Sequence, residues 1–135
     1  TASQLADALT DGTWDAVISD HQLPGFSSLA ALDMVRASAP YCPFIIVSGV
    51  MGEDAAVAAM RRGADDYLVK DRLARLVPAL VNAMAAADAR RERARAEQAL
   101  LDVFWALIYG PRDEGAPAPA VETPPAATPP ATPAP

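Results

Sequence analysis

Trp14-Asp15-Ala16-Val17-Ile18-Ser19-Asp20-His21-Gln22-Leu23-Pro24-Gly25 holds, in order, a short apolar run, a carboxylate and a turn. Ala16 to Ser19 is too short for a helix, rich in β-branched residues and bounded by Asp15 and Asp20, which predicts a strand buried on both faces. Pro24-Gly25 closes the loop that follows. Upstream, Ser3 to Leu9 places Leu5 and Leu9 on one helical face, and Asp11-Gly12 stops that helix. Downstream, Ser27 or Ser28 caps a helix from Leu29 to about Ala39, with Leu29, Leu32, Val35 and Arg36 at helical spacing. Pro40 and Pro43 forbid its continuation.

The same alternation repeats once more. Phe44-Ile45-Ile46-Val47 is a second apolar strand, Asp54 to Arg62 a helix closed by Gly63, and Tyr67-Leu68-Val69 a third strand. Strands separated by helix-length connections pair in parallel through right-handed crossovers, giving an α/β sheet with helices on both faces. In such sheets a site forms at the carboxyl ends of the strands. The residues there are Asp20, Ser48 and Lys70.

From about Leu76 to Tyr109 one long helix is predicted, with Pro78 tolerated in its first turn. Val77, Leu80, Met84, Ala87, Arg91, Ala94, Gln98, Leu101, Trp105 and Ile108 fall on a heptad register, polar at Arg91 and Gln98. The alternative is that only the stretch to about Met84 packs on the sheet and Arg90 to Glu97 is a solvated single helix. From about Gly110 the sequence turns to Pro, Ala and Thr and is expected to be disordered or polyproline-like. The expected organisation is a domain over 1–84, a linker or coiled coil over 85–109, and a tail over 110–135.

Composition narrows the partners. A net charge of −6 and a pI near 4.6 argue against nonspecific nucleic-acid binding, so protein partners are expected. Cys42 is alone, which excludes a disulfide framework and is compatible with a reducing compartment. No apolar run reaches the ~18–20 residues needed to span a bilayer, and no signal peptide is recognisable, so the chain reads as cytoplasmic with no membrane partner.

The three strand ends offer a carboxylate, a hydroxyl and an ammonium. A carboxylate attacks phosphorus to give a mixed anhydride, and the charge on the transferred group must then be neutralised and held in place. Lys70 suits one phosphoryl oxygen, Ser48 another and a Mg²⁺ ion the rest.

At this point the chain resembles the response regulator receiver family of two-component signalling, over about Ala2 to Met84. Trp14 to Gly25 is similar to the phosphoacceptor strand and loop, with proline four residues after the aspartate. Phe44 to Gly49 is similar to the strand ending in Ser or Thr followed by a small residue. Gly63 to Lys70 is similar to the strand whose aromatic switch residue stands three before the lysine. The resemblance implies a flavodoxin-like fold, with Asp20 as phosphoacceptor and metal ligand and the Gln22 carbonyl as a second ligand to Mg²⁺. It also implies Ser48 and Lys70 as phosphoryl-binding residues and Ser48 with Tyr67 as the switch. Gly49 leaves room at the phosphate.

Two departures follow. The acidic pair that completes the family's Mg²⁺ site is missing, because Asp7 and Asp11 lie on or just after a helix and Asp15 opens the strand at its far end. The first strand, first helix and second strand are therefore expected to be absent, leaving strands 3-4-5 of the order 2-1-3-4-5, an N-terminally truncated receiver that accepts phosphate poorly. Ala16 to Ser19 becomes an exposed apolar edge that invites pairing. Lys70-Asp71 stands where the family has Lys-Pro with a cis bond, and a non-proline cis bond costs ~2.5–4 kcal/mol, so trans is expected.

Simpler roles compete at each position. Asp20 can be a loop-capping aspartate, Ser48 a turn residue and Lys70 a solvated strand end. His21, without a partner carboxylate pattern, reads as a surface residue rather than an acid-base group. Asp65-Asp66 reads as a helix-to-strand turn rather than a metal pair, since adjacent strand residues point to opposite faces. Phe104, Trp105 and Tyr109 fit a partner-binding patch or a continued helix seam equally.

The leading expectation is a non-enzymatic receiver that takes a phosphoryl group from a histidine kinase or phosphotransfer protein and passes the change into the long helix, whose Arg90 to Leu101 stretch is similar to signalling-helix linkers. The alternative is a phosphate-independent interaction module that dimerises through that helix or the sheet edge. An enzyme on a flavodoxin-like sheet lacks a Gly-rich phosphate loop and a second acid-base residue.

Overall fold

The computed structural model describes residues 1–50 and 52–110. Its elements are α1 (Ala2–Asp11), β1 (Val17–Asp20), β2 (Gln22–Leu23), β3 (Phe26–Ser27), α2 (Ser28–Ser38), β4 (Phe44–Ser48), α3 (Glu53–Arg61) and β5 (Asp66–Val69). A 3₁₀ segment over Lys70–Arg75 then leads into α4 (Leu76–Tyr109). The expected tail lies outside the described residues, Gly110 excepted.

Local chemistry sets the helix boundaries. Thr1 and Gln4 form a reciprocal capping box at the start of α1. Ser27 caps α2, its Oγ accepting from the Ala30 N–H at 3.0 Å. Glu53 and Asp54 sit in the first turn of α3, where carboxylates oppose the positive end of the helix dipole. Gly63 takes a φ of 95° just beyond α3, a left-handed conformation that lets the chain turn sharply into β5.

The three long strands form a parallel sheet in the order β1-β4-β5, with Ile18 opposite Ile45 and Val47 opposite Leu68. All five residues of β4 are buried, as its apolar run predicts for a central strand. Phe44 and Ile46 face a core built with Leu32 and Val35 of α2 and Ala59 of α3, and Leu5 and Leu9 of α1 pack against it. Ile45, Val47 and Leu68 face the other way, onto Ala79 with Leu76 and Leu80 of α4. The result is the flavodoxin-like three-layer arrangement with a long C-terminal helix.

Several details differ from the sequence expectation. The Pro24-Gly25 loop is a small hairpin in which β2 and β3 pair antiparallel, and the left-handed Gly25 (φ 64°) after Pro24 fits a type II turn. Lys70 begins a 3₁₀ segment, and the described peptide bonds, Lys70-Asp71 among them, are all trans. The buried face of α4 is Ala79, Ala83 and Ala87, whereas Val77 of the heptad register is 67% exposed. Small residues four apart bring the helix backbone close to the sheet; of the larger heptad residues Leu80 packs against the core beside Ala79, and Val77 turns outward.

Two compact units divide the chain, one over Thr1–Ala99 and one from Leu100 onward. Within the first, packing of α4 runs past Met84, because Ala87 is buried and Arg90 reaches Asp65 at 3.1 Å. Strand β1 lies at the sheet edge with Ile18 half exposed.

Candidate functional site

Parallel pairing brings the carboxyl ends of β1, β4 and β5 to one rim of the sheet, and Asp20, Ser48 and Lys70 stand on it. Asp20 ends β1 opposite Val47, Ser48 ends β4 opposite Val69, and Lys70 follows β5 directly. Lys70 Nζ lies 2.6 Å from Asp20 Oδ2, a charge-assisted hydrogen bond between residues fifty apart in the chain. Asp20 Oδ1 accepts the Gln22 main-chain N–H at 3.1 Å, so the hairpin start also faces the carboxylate.

These two donors hold the Asp20 carboxyl below its ordinary value of 3.8, with the Lys70 hydrogen bond the larger cause and the Gln22 N–H next. The carboxylate stays partly open to solvent and ionised. The pair places an ionised carboxylate and an ammonium side by side at the sheet rim.

Ser48 is buried, and its hydroxyl is engaged locally. It donates to the Val50 carbonyl at 2.8 Å and accepts from the Val50 N–H at 3.3 Å, forming a tight turn at the end of β4. A Cβ built on Gly49 meets nothing within 4 Å, so the backbone beside Ser48 is open.

Tyr67 turns to the α2 side of the sheet, where it packs against the core of Phe44 and Ile46. The His21 ring meets it edge-on, with centroids 5.8 Å apart and planes at 66°. His21 Nδ1 also lies 3.4 Å from the buried Ser28 Oγ. The residue expected at the surface instead bridges β1, the start of α2 and the Tyr67 ring. No sequence pattern signals this contact, since it joins positions on three elements.

Asp65 and Asp66 do different work. Asp65 accepts from Arg36 Nη2 at 2.9 Å, the Phe44 N–H at 2.8 Å and Arg90 Nη2 at 3.1 Å. Asp66 accepts the Tyr67 N–H at 2.7 Å. They form a structural turn, and among the described residues no cluster of three or more His, Cys, Asp or Glu stands ready for a metal.

Residues 1–81 match the response regulator receiver domain family. The chain belongs to that family. Among curated relatives, the DNA-binding transcriptional regulator NtrC of Klebsiella pneumoniae is 40% identical over 70 residues, covering 52% of this chain and 15% of that protein. The response regulator protein FleR of Pseudomonas aeruginosa is 36% identical over 81 residues, covering 60% of this chain and 17% of that protein. Among solved structures, NtrX from Brucella abortus superposes with a TM-score of 0.62 at 30% identity, covering 70% of this chain and 22% of that one.

The chain thus spans about a sixth of the length of the curated relatives it matches. DNA binding belongs to the name of the NtrC relative, so the absence of a nucleic-acid partner expected from net charge does not extend to whole regulators of this family. Among the described residues no helix is long and apolar enough to cross a membrane.

Receivers typically bind Mg²⁺ beside the acceptor aspartate. Magnesium demands octahedral oxygen coordination and is usually held by one or two carboxylates with water and phosphate oxygens. Here Asp20 is already paired with Lys70, and among the described residues no group of three or more His, Cys, Asp or Glu gathers around it. The donor set of these residues alone falls short of a Mg²⁺ site.

Proposed function

We propose that this chain is a phosphorelay receiver whose acceptor is Asp20, served by a histidine kinase or phosphotransfer protein. The observation that carries the proposal is the 2.6 Å contact between Lys70 Nζ and Asp20 Oδ2, which joins the ends of two strands that do not pair with each other. Membership of the receiver family supports the same reading.

In the step proposed, an Asp20 carboxylate oxygen attacks the phosphorus of a phosphohistidine. The new O–P bond forms as the P–N bond breaks, and the departing imidazole takes a proton from solvent. The product is an acyl phosphate on Asp20. Lys70 exchanges its carboxylate partner for a phosphoryl oxygen, which keeps a cation beside the charge that has moved there. Ser48 must release the Val50 carbonyl before its hydroxyl turns to the phosphoryl group, so the β4 turn and the Tyr67 ring on the next strand form the switch.

Transfer is expected to be slow, because among the described residues no acidic cluster stands beside Asp20 to hold a cation and the Lys70 pair competes for the attacking oxygens. The same observation favours a second reading, in which the Lys70-neutralised rim is a static scaffold and the domain binds partners without phosphate. Incubation with acetyl phosphate and Mg²⁺, followed by intact-mass spectrometry, separates the two. A gain of one phosphoryl mass in the parent and none in Asp20→Asn supports the receiver reading; folded parent without any gain supports the scaffold.

A further inference from the structure

Neighbouring residues on an extended chain point to opposite faces of a sheet, so Asp20 and His21 leave the end of β1 in opposite directions. Asp20 meets Lys70 at 2.6 Å. His21 turns to the α2 side, where Tyr67 packs with Phe44 and Ile46, and its ring meets the Tyr67 ring edge-on with centroids 5.8 Å apart. Both contacts reach from the β1 end to the β5 side across the central strand, since β1 and β5 each pair with β4 and not with each other. The His21 N–H bonds the Val47 carbonyl at 2.8 Å, which carries the parallel register one residue beyond β1 and sets His21 beside Ser48.

The imidazole is also fixed from the helix side. Its Nδ1 lies 3.4 Å from the Oγ of Ser28, which is 1% exposed and is the first residue of α2. A ring tied to the Asp20 peptide and lodged against a buried helix start cannot follow that peptide without changing its contact with Tyr67.

We propose that His21 is a positioning residue that couples the Asp20 carboxylate to the rotamer of the Tyr67 ring. The inference deepens the receiver reading and rests on it for its purpose, because a change at Asp20 then reaches Tyr67 by a route separate from the Ser48 hydroxyl. While Asp20 is paired with Lys70, the shared peptide sets the imidazole edge against the tyrosine. When the carboxylate leaves Lys70, peptide and imidazole shift together and the ring contact weakens. The coupling uses the shape and orientation of the imidazole, not its charge. An edge-to-face contact of this class biases a rotamer equilibrium about two- to tenfold.

The χ1 populations of Tyr67, read from three-bond couplings to its ring carbon in the isotope-labelled 135-residue chain, test the proposal, with Tyr67→Phe assigning the signals among the three tyrosines. Asp20→Asn is introduced into the parent, into His21→Gln and into His21→Phe, and far-UV circular dichroism checks folding. Glutamine keeps an acceptor for the Ser28 hydroxyl without the ring, and phenylalanine keeps the ring edge without the nitrogen. The expected result is that Asp20→Asn shifts the Tyr67 rotamer ratio about two- to tenfold in the parent, loses that effect with His21→Gln and regains it with His21→Phe. Should His21→Gln fail to fold, His21→Leu takes its place with the same expectation. A ratio that ignores Asp20→Asn in the parent overturns the proposal. So does an effect that survives loss of the ring at full size, which would assign the link to β4 and Ser48, or one that His21→Phe does not restore. None of these samples carries phosphate. A chain that takes no phosphoryl group from acetyl phosphate therefore loses the receiver reading and keeps the coupling, whereas loss of the coupling leaves the receiver reading as it stood.

Discussion

The Asp20–Lys70 pair makes its own acid test. Because the folded state holds the Asp20 carboxyl below 3.8, its contribution to stability is present above that pH and is lost as pH falls through the lower folded value. Urea titrations of parent and Asp20→Asn should therefore differ most above pH 4 and converge towards pH 2. Asp65 offers a larger effect. Its side chain is nearly buried with two arginines and the Phe44 N–H upon it, so Asp65→Ala is expected to cost about 2–4 kcal/mol in urea unfolding, with Asp65→Asn in between. Cys42 is buried, and burial pushes its thiol up, so it should resist thiol reagents until the chain unfolds. Asp20, Ser48 and Lys70 were legible in the sequence because each ends an apolar run. The roles of Asp65 and His21 were not, since Arg36 lies 29 residues from Asp65 and Ser28 and Tyr67 stand on different elements from His21. Contacts of that kind leave no periodic trace.

At the scale of elements, β4 and α4 show what a pattern predicts and what it misses. A four-residue apolar run bounded by turn residues reads as a central strand, and Phe44 at its start is fully buried. Phe44→Ala should accordingly cost about 3–5 kcal/mol. For α4 the heptad register included Leu80 and Ala87, which do face the sheet, but missed Ala79 and Ala83, which complete an alanine row there. Alanine is the default helix former and carries no facing signal of its own. The distinction is measurable by thermal or urea unfolding. Ala87→Leu, at a site 1% exposed, is expected to destabilise by about 1–3 kcal/mol, whereas Val77→Ala should stay within about 0.5 kcal/mol. The hairpin at Pro24-Gly25 was equally hard to foresee, because two-residue strands are too short to show alternation.

For the whole molecule, sheet order follows from the β-α-β alternation, and the rim that collects Asp20, Ser48 and Lys70 follows from parallel pairing. The family relation assigns the chain to receivers, and the chemistry at the rim concentrates on one carboxylate. The most direct measurement is borohydride trapping after acetyl phosphate treatment, which reduces an acyl phosphate to the alcohol and marks the acceptor by peptide mass. We expect homoserine in place of Asp20 in low yield, in a peptide spanning the β1 end and the hairpin. Reduction at Asp15, Asp65 or Asp66, or no reduction anywhere in folded protein, would contradict the assignment of Asp20 as the acceptor.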